Sequence, residues 1–213
     1  MLAWSLEALA EAQSVGEVIV AAPPGSEREI GAIAASLGVS ARIVAGGETR
    51  AESVALAVEG IEANGVEIVV IHDAARPLIT PADIDTLVGE LGERPDADGV
   101  IAASALADTV KRAREPRPEK GEFPRGGPTI SKTESREHLW RAETPQVFRA
   151  EILRKAIGEA GAQRLRAATD EAFLVEKAGG KVLMREVSGL NPKVTTPDDL
   201  LLADHLLRRR AGS

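Results

Sequence analysis

Apolar β-branched runs and helical periods take turns along most of this chain, and that alternation restricts it to a sheet covered by helices, because a strand buried on both faces needs a helical layer over each. Glu17-Val18-Ile19-Val20-Ala21-Ala22, closed by Pro23-Pro24-Gly25, reads as a buried parallel strand. Residues 41–44, 67–71, 99–103 and 181–187 read as further strands. The intervening helices are expected over 26–37, 50–63, 81–91, 150–160 and 170–178, with a last one over 197–208. The chain opens inside a helix, with Leu2, Leu6, Leu9 and Ala10 at helical spacing. An α/β fold with a mainly parallel sheet and flanking helices follows.

One stretch breaks the alternation. Residues 112–127 are rich in Pro, Gly and charge and show no hydrophobic period. They lie between Asp108-Thr109-Val110-Lys111 and Thr129-Ile130-Ser131-Lys132, so the reading is a projecting two-stranded arm over about 108–136 with a mobile tip. All 213 residues are expected to form one domain, since 44% hydrophobic content suffices for a core without staples. There is no cysteine, which excludes disulfides, zinc knuckles and thiol nucleophiles. A formal charge of −7 argues against nucleic acid or anionic membrane as a partner, both of which need a basic field. No apolar run approaches the ~20 residues that span a bilayer. Met1-Leu2-Ala3-Trp4 lacks the basic start of a signal peptide, so a cytoplasmic protein is expected.

The apolar strand over 67–71 runs into His72-Asp73-Ala74-Ala75-Arg76-Pro77. Ligands of open α/β sheets bind at the carboxyl ends of strands, where Asp73 could grip ribose hydroxyls or a metal and Arg76 could clamp an anion. Taken singly, an Asp turn and a surface arginine explain these residues as well. Upstream, Gly46-Gly47-Glu48-Thr49-Arg50-Ala51-Glu52-Ser53-Val54 places a glycine pair before a helix start, where backbone can approach a flat ligand and N–H groups are free. A tight turn with ordinary N-cap chemistry accounts for it equally.

Together with Asp108-Thr109-Val110-Lys111, the run from Arg136 through Leu139-Trp140 to Thr144-Pro145-Gln146, Thr169-Asp170-Glu171-Ala172 and Asn191-Pro192-Lys193-Val194-Thr195, these strings follow one another in a single order. The set resembles the 2-C-methyl-D-erythritol 4-phosphate cytidylyltransferases over the whole chain. The resemblance implies a Rossmann-like fold of the nucleotide-diphospho-sugar transferase type and an enzyme that joins CTP to a polyol phosphate and releases pyrophosphate in isoprenoid synthesis. It assigns catalysis to Lys193 and Asp73. Nucleotide binding falls to Gly47, Glu48, Ser53, Asp73, Ala74 and Lys193, although many relatives have Asp where Glu48 stands. Substrate binding falls to Arg76, Thr109, Arg136, Thr144 and Thr169. It further implies Mg2+ bound through the CTP phosphates, and a homodimer in which the arm serves the neighbouring site. A ribitol-phosphate type of cytidylyltransferase and an inactive dimerising or regulatory module are the alternative readings.

The resemblance also carries a departure. Family members begin with an apolar strand, an A-A-G-x-G-x-R loop and a lysine ahead of a helix like the one that opens here. The missing piece is roughly 20–30 residues, sized as most of a βαβ half-unit; the expectation is that the native protein starts upstream of Met1, the alternative being a genuine short form that has lost activity. That strand would lie between the strands at 18–22 and 68–71. Without its loop the chain is expected to turn over CTP negligibly.

Overall fold

The computed structural model describes residues 1–61, 65–115 and 127–211. In chain order the elements are α1 (Leu2–Glu11), β1 (Val18–Ala22), α2 (Glu27–Ser36), β2 (Ala41–Ala45), α3 (Arg50–Glu59), β3 (Ile68–Ile71), α4 (Pro81–Glu93) and β4 (Gly99–Ala105). After the short arm strands β5 (Lys111–Ala113) and β6 (Ile130–Thr133) come β7 (Trp140–Arg149), α5 (Ala150–Ala167), α6 (Glu171–Lys177), β8 (Val182–Arg185) and α7 (Pro197–Ala211). The helix expected over 50–63 ends at Glu59, and residues 62–64 lie outside the described set. So does most of the arm tip, residues 116–126, while β5 and β6 pair antiparallel as the arm's described base.

Local chemistry explains where the helices start. Thr49 and Glu52 form a reciprocal capping box on α3, Thr80 accepts from the Asp83 amide with Pro81 at the first position of α4, and Asp170 accepts from the Phe173 amide on α6. Helix α5 runs beyond the expected residue 160 because a second helical piece continues after Gly161, whose φ of 65° and ψ of 162° interrupt the first.

The main sheet has the order β3-β7-β4-β8, with β7 antiparallel to both neighbours and β8 parallel to β4. The sheet is therefore mixed, with a central antiparallel strand that hydrophobic periodicity does not announce. Residues Glu143 to Phe148 of β7 are all buried, polar ones included. Its Pro145 is compatible with a central strand because the register with β4 slips there: Ile101 faces Gln146 but Ala103 faces Ala142, so residues 143–145 form a bulge outside the ladder. Phe148 and Val147 are fully buried on opposite faces of β7, Phe148 against Leu153, Leu174 and Val58, and Val147 against Leu87, Leu91 and Val100. A Cβ on Gly99 would collide with the Phe148 ring, so the strand crossing needs glycine at that point.

Strands β1 and β2 pair parallel in a separate two-stranded sheet, and no ladder among the described residues joins β1 to β3. A cavity of about 680 Å³ lies between them, lined by the consecutive residues Val18 to Ala21 and Ile68 to Ile71. Successive side chains of a strand face opposite ways, so space touched by four in a row lies at the strand edges rather than over a face. Helix α1 ties the two sheets together: Leu6 packs with Val18 and Ala34, while Ala8 and Ala12 pack with Ile79 and Ile84 beside the larger sheet. No helix among the described residues is long and apolar enough to cross a membrane.

Candidate active site

The turn after β3 is braced by a short relay. His72 Nε2 lies 3.1 Å from the Arg76 carbonyl, which can only accept, so Nε2 carries the proton and Nδ1 accepts from the Thr144 hydroxyl at 3.1 Å. The Thr144 oxygen in turn accepts from the Asp73 amide at 3.0 Å. The β7 bulge aims Thr144 at this turn, and the Asn191 side-chain amide donates to the Thr144 carbonyl at 2.7 Å. Burial depresses the His72 imidazole to about 4, with the Arg76 and Arg50 charges assisting against Asp73 and the Arg76 carbonyl. It is a neutral structural histidine at physiological pH.

Asp73 is the hub. Its Oδ1 accepts from Arg50 Nε at 2.6 Å and its Oδ2 from Lys193 Nζ at 3.1 Å. Burial alone would raise this carboxyl, but Arg50 and then Lys193 outweigh it and hold it below the usual range. Lys193 reaches the site from the segment before α7, which is pinned by the Val194 amide on the Ala75 carbonyl at 2.8 Å. Arg76 donates to the Asn191 carbonyl at 2.7 Å and lies 3.8 Å from Asp73 and 3.9 Å from Glu143. Its Nε is buried and finds no acceptor among the described residues, an unmet donor beside the Asp73 carboxylate.

On the α3 side, the Gly47 amide donates to Ser53 Oγ at 3.0 Å, and Ser53 Oγ donates to the Thr49 carbonyl at 2.9 Å. A Cβ on Gly46 would stand 2.7 Å from Ser53 Oγ, and one on Gly47 2.5 Å from the Glu52 Cβ, so both glycines are required by close packing. Ser53, Asp73 and Ala74 line the polar mouth of the cavity between β1 and β3. Asp73, Arg76, Thr144 and Lys193, drawn from three separate strings, are thus joined in one bonded cluster beside the Gly47–Ser53 turn.

Other expected residues stand apart. Glu48 is 83% exposed and faces Arg166 across 3.4 Å. Thr169 lies just before the Asp170 cap of α6. Thr109 and Arg136 are exposed at the arm base, where Arg136 donates to the Ala107 carbonyl. No hydrogen bond or ion pair among the described residues links these two to the Asp73 cluster. Sequence reasoning gave no role to Arg50, Glu171, His72, Glu143 or Asn191. A signal for Arg50 existed: a cation in a first helical turn opposes the helix dipole, so it needs another reason to be there.

A mixed α/β sheet with a cationic and anionic cluster at the carboxyl end of a strand, beside a glycine turn and a helix start, defines a phosphate- and nucleotide-handling enzyme of the Rossmann-like class. The family model described as "IspD: 2-C-methyl-D-erythritol 4-phosphate cytidylyltransferase" matches residues 1–209, and the chain belongs to that family. A 2-C-methyl-D-erythritol 4-phosphate cytidylyltransferase of Acidobacterium capsulatum is 38% identical over 214 residues, covering 100% of this chain and 84% of the relative. One from Synechococcus sp. (strain JA-3-3Ab) is 39% identical over 213 residues, covering 99% and 86%. The crystal structure of the Thermus thermophilus 2-C-methyl-D-erythritol 4-phosphate cytidylyltransferase superposes with a TM-score of 0.74 at 30% identity, covering 97% of this chain and 88% of that one.

Proposed function

We propose that the full-length protein transfers a cytidylyl group from CTP to 2-C-methyl-D-erythritol 4-phosphate. A phosphate oxygen of the acceptor forms a bond to the α-phosphorus of CTP as the bond to the β-phosphate bridging oxygen breaks, and pyrophosphate leaves. The observation that carries this reading is the Asp73–Lys193 pair beside the unmet Arg76 donor. Lys193 is 43% exposed and, among the described residues, its ammonium is held by Asp73 alone, so it can exchange Asp73 for a phosphate oxygen and stabilise charge on the crowded phosphorus. The freed Asp73 oxygen then accepts from a sugar hydroxyl, and Arg76 Nε–H finds an acceptor on the ligand. Gly47 and Ser53, with Glu48 through its backbone, offer the edge for the cytosine base, and Ala74 contributes backbone to the ribose side.

Magnesium entering with CTP would neutralise charge on the triphosphate oxygens. Among the described residues no group of three carboxylates or imidazoles could cage a cation, and Asp73 and Glu171 are occupied by cations of the chain itself. These residues suit an ion carried by the nucleotide rather than by the protein. Thr109, Thr169 and Arg136 are proposed to bind the acceptor's phosphate, the arm residues doing so in the neighbouring subunit of a homodimer, with residues 1–213 acting as one cytidylyltransferase domain in the cytoplasm.

The test is pyrophosphate release by the full-length protein from CTP, magnesium and methylerythritol phosphate. Lys193→Ala is expected to lower the rate by on the order of a hundredfold or more if the ammonium acts on the transition state. A change confined to the apparent CTP affinity would make Lys193 a uniform binding group, and release that does not depend on the acceptor would overturn the transfer reading.

A further inference from the structure

Arg50 makes contacts that neither the helix it starts nor its own neighbours explain. It stands first in α3, where a positive charge is disfavoured, yet its guanidinium spans two carboxylates from distant parts of the chain. Nε donates to Asp73 Oδ1 at 2.6 Å, and Nη1 lies 2.8 Å from both oxygens of Glu171. Glu171 is 1% exposed, which is uncommon for a carboxylate without a structural or functional reason. Its position is secured from behind: Gln146 of β7 donates to Asp170 at 3.0 Å and accepts from the Ala172 amide at 3.2 Å, fixing the start of α6 to the central strand.

We propose that Arg50 is a positioning residue for Asp73 and that Glu171 is the fixed anchor that aims it. The inference rests on the assignment of Asp73 and Lys193 to the reaction and adds what holds Asp73 when Lys193 departs. Asp73 has two oxygens and, before ligand, two cationic donors, one on each. Lys193 is the exposed and singly held one, whereas Arg50 is clamped at both ends by a planar fork that matches carboxylate geometry. When the ammonium moves to phosphate, Oδ1 stays on Arg50 and Oδ2 is presented to the ligand in an unchanged orientation. Without the guanidinium, Asp73 would face the incoming polyanion with Arg76 at 3.8 Å as its remaining cation and neutral His72 as its neighbour, close to the Glu143 and Glu171 carboxylates. Burial presses the Glu171 carboxyl upward and Arg50 restrains it, so the two carboxylates share one cation.

The test combines a carboxylate carbon NMR titration of Asp73 with turnover in the intact protein. Arg50→Gln is expected to raise the Asp73 midpoint by roughly one to three pH units, the range for losing an adjacent opposite charge. Arg50→Lys keeps the charge but cannot hold both carboxylates, so it should retain most of the low midpoint while kcat falls at least about tenfold, a split expected when orientation rather than charge is lost. Glu171→Gln should lower kcat in the wild-type background and have no further effect in Arg50→Gln, because an anchor acts only through what it anchors. An unchanged Asp73 midpoint in Arg50→Gln, full turnover in Arg50→Lys, or additive effects of the Arg50 and Glu171 changes would each overturn the inference. If instead the transfer reading fails, turnover is absent throughout while the midpoints still separate.

Discussion

Acidification should destabilise this protein through His72 before it protonates the clustered aspartates. The imidazole stands at about 4 in the folded state against an ordinary 6.5, so the folded chain binds fewer protons than the unfolded one across that interval. The associated stability is complete above the unfolded value and is lost as the pH falls from 6.5 toward 4. Between pH 7 and pH 4.5 the loss from this one group comes to ~2.5 kcal/mol, or roughly 5–10 °C in Tm for a domain of this size. Other groups contribute differently. Asp73 and Asp83 are held low and lose their contribution only on further acidification, while Glu171, pushed up by burial, gains slightly as the pH falls. A His72→Gln variant retains all three and removes the imidazole, so the difference between the two pH profiles isolates it. Urea denaturation followed by circular dichroism at both pH values should show the wild type losing about 2 kcal/mol more than the variant. Equal losses within ~0.5 kcal/mol, or a His72 proton NMR midpoint near the ordinary 6.5, would refute the reasoning.

Gly47→Ala should cost ~1–3 kcal/mol by overpacking, because its Cβ would meet Glu52 and disturb the capping box on α3. A calorimetric titration should show weaker CTP binding in the same variant, and wild-type affinity would remove this turn from the nucleotide site. Mixing inactive full-length Arg136→Ala chains with inactive full-length Lys193→Ala chains should regenerate some activity if the arm serves the neighbouring subunit, since one site of a mixed dimer keeps both residues. Demonstrated subunit exchange with no recovery would confine Arg136 to its own chain.

The sequence by itself determined the elements whose signals are local. Helix starts at Thr49, Thr80 and Asp170 are written in a few neighbouring residues, and the apolar runs at β1, β3 and β4 carry their own periodicity. Strand β7 was different. Glu143, Thr144, Pro145 and Gln146 break every apolar pattern, and the polar three can be buried only because Ser104, the Asp73 amide and Asp170 arrive from elsewhere in the chain to satisfy them. The site divides in the same way. Its motif strings were legible one by one, but Arg50 finds Asp73 across 23 residues and Glu171 across 121, and nothing local to any of the three marks a shared bond. Along the chain Asp73 reads as a strand-end carboxylate and Arg50 as a cation at an unfavourable helix position, and neither names its partner. Only the tertiary structure makes them a unit, because removing Glu171 from water is tolerable solely where a guanidinium has been carried to meet it.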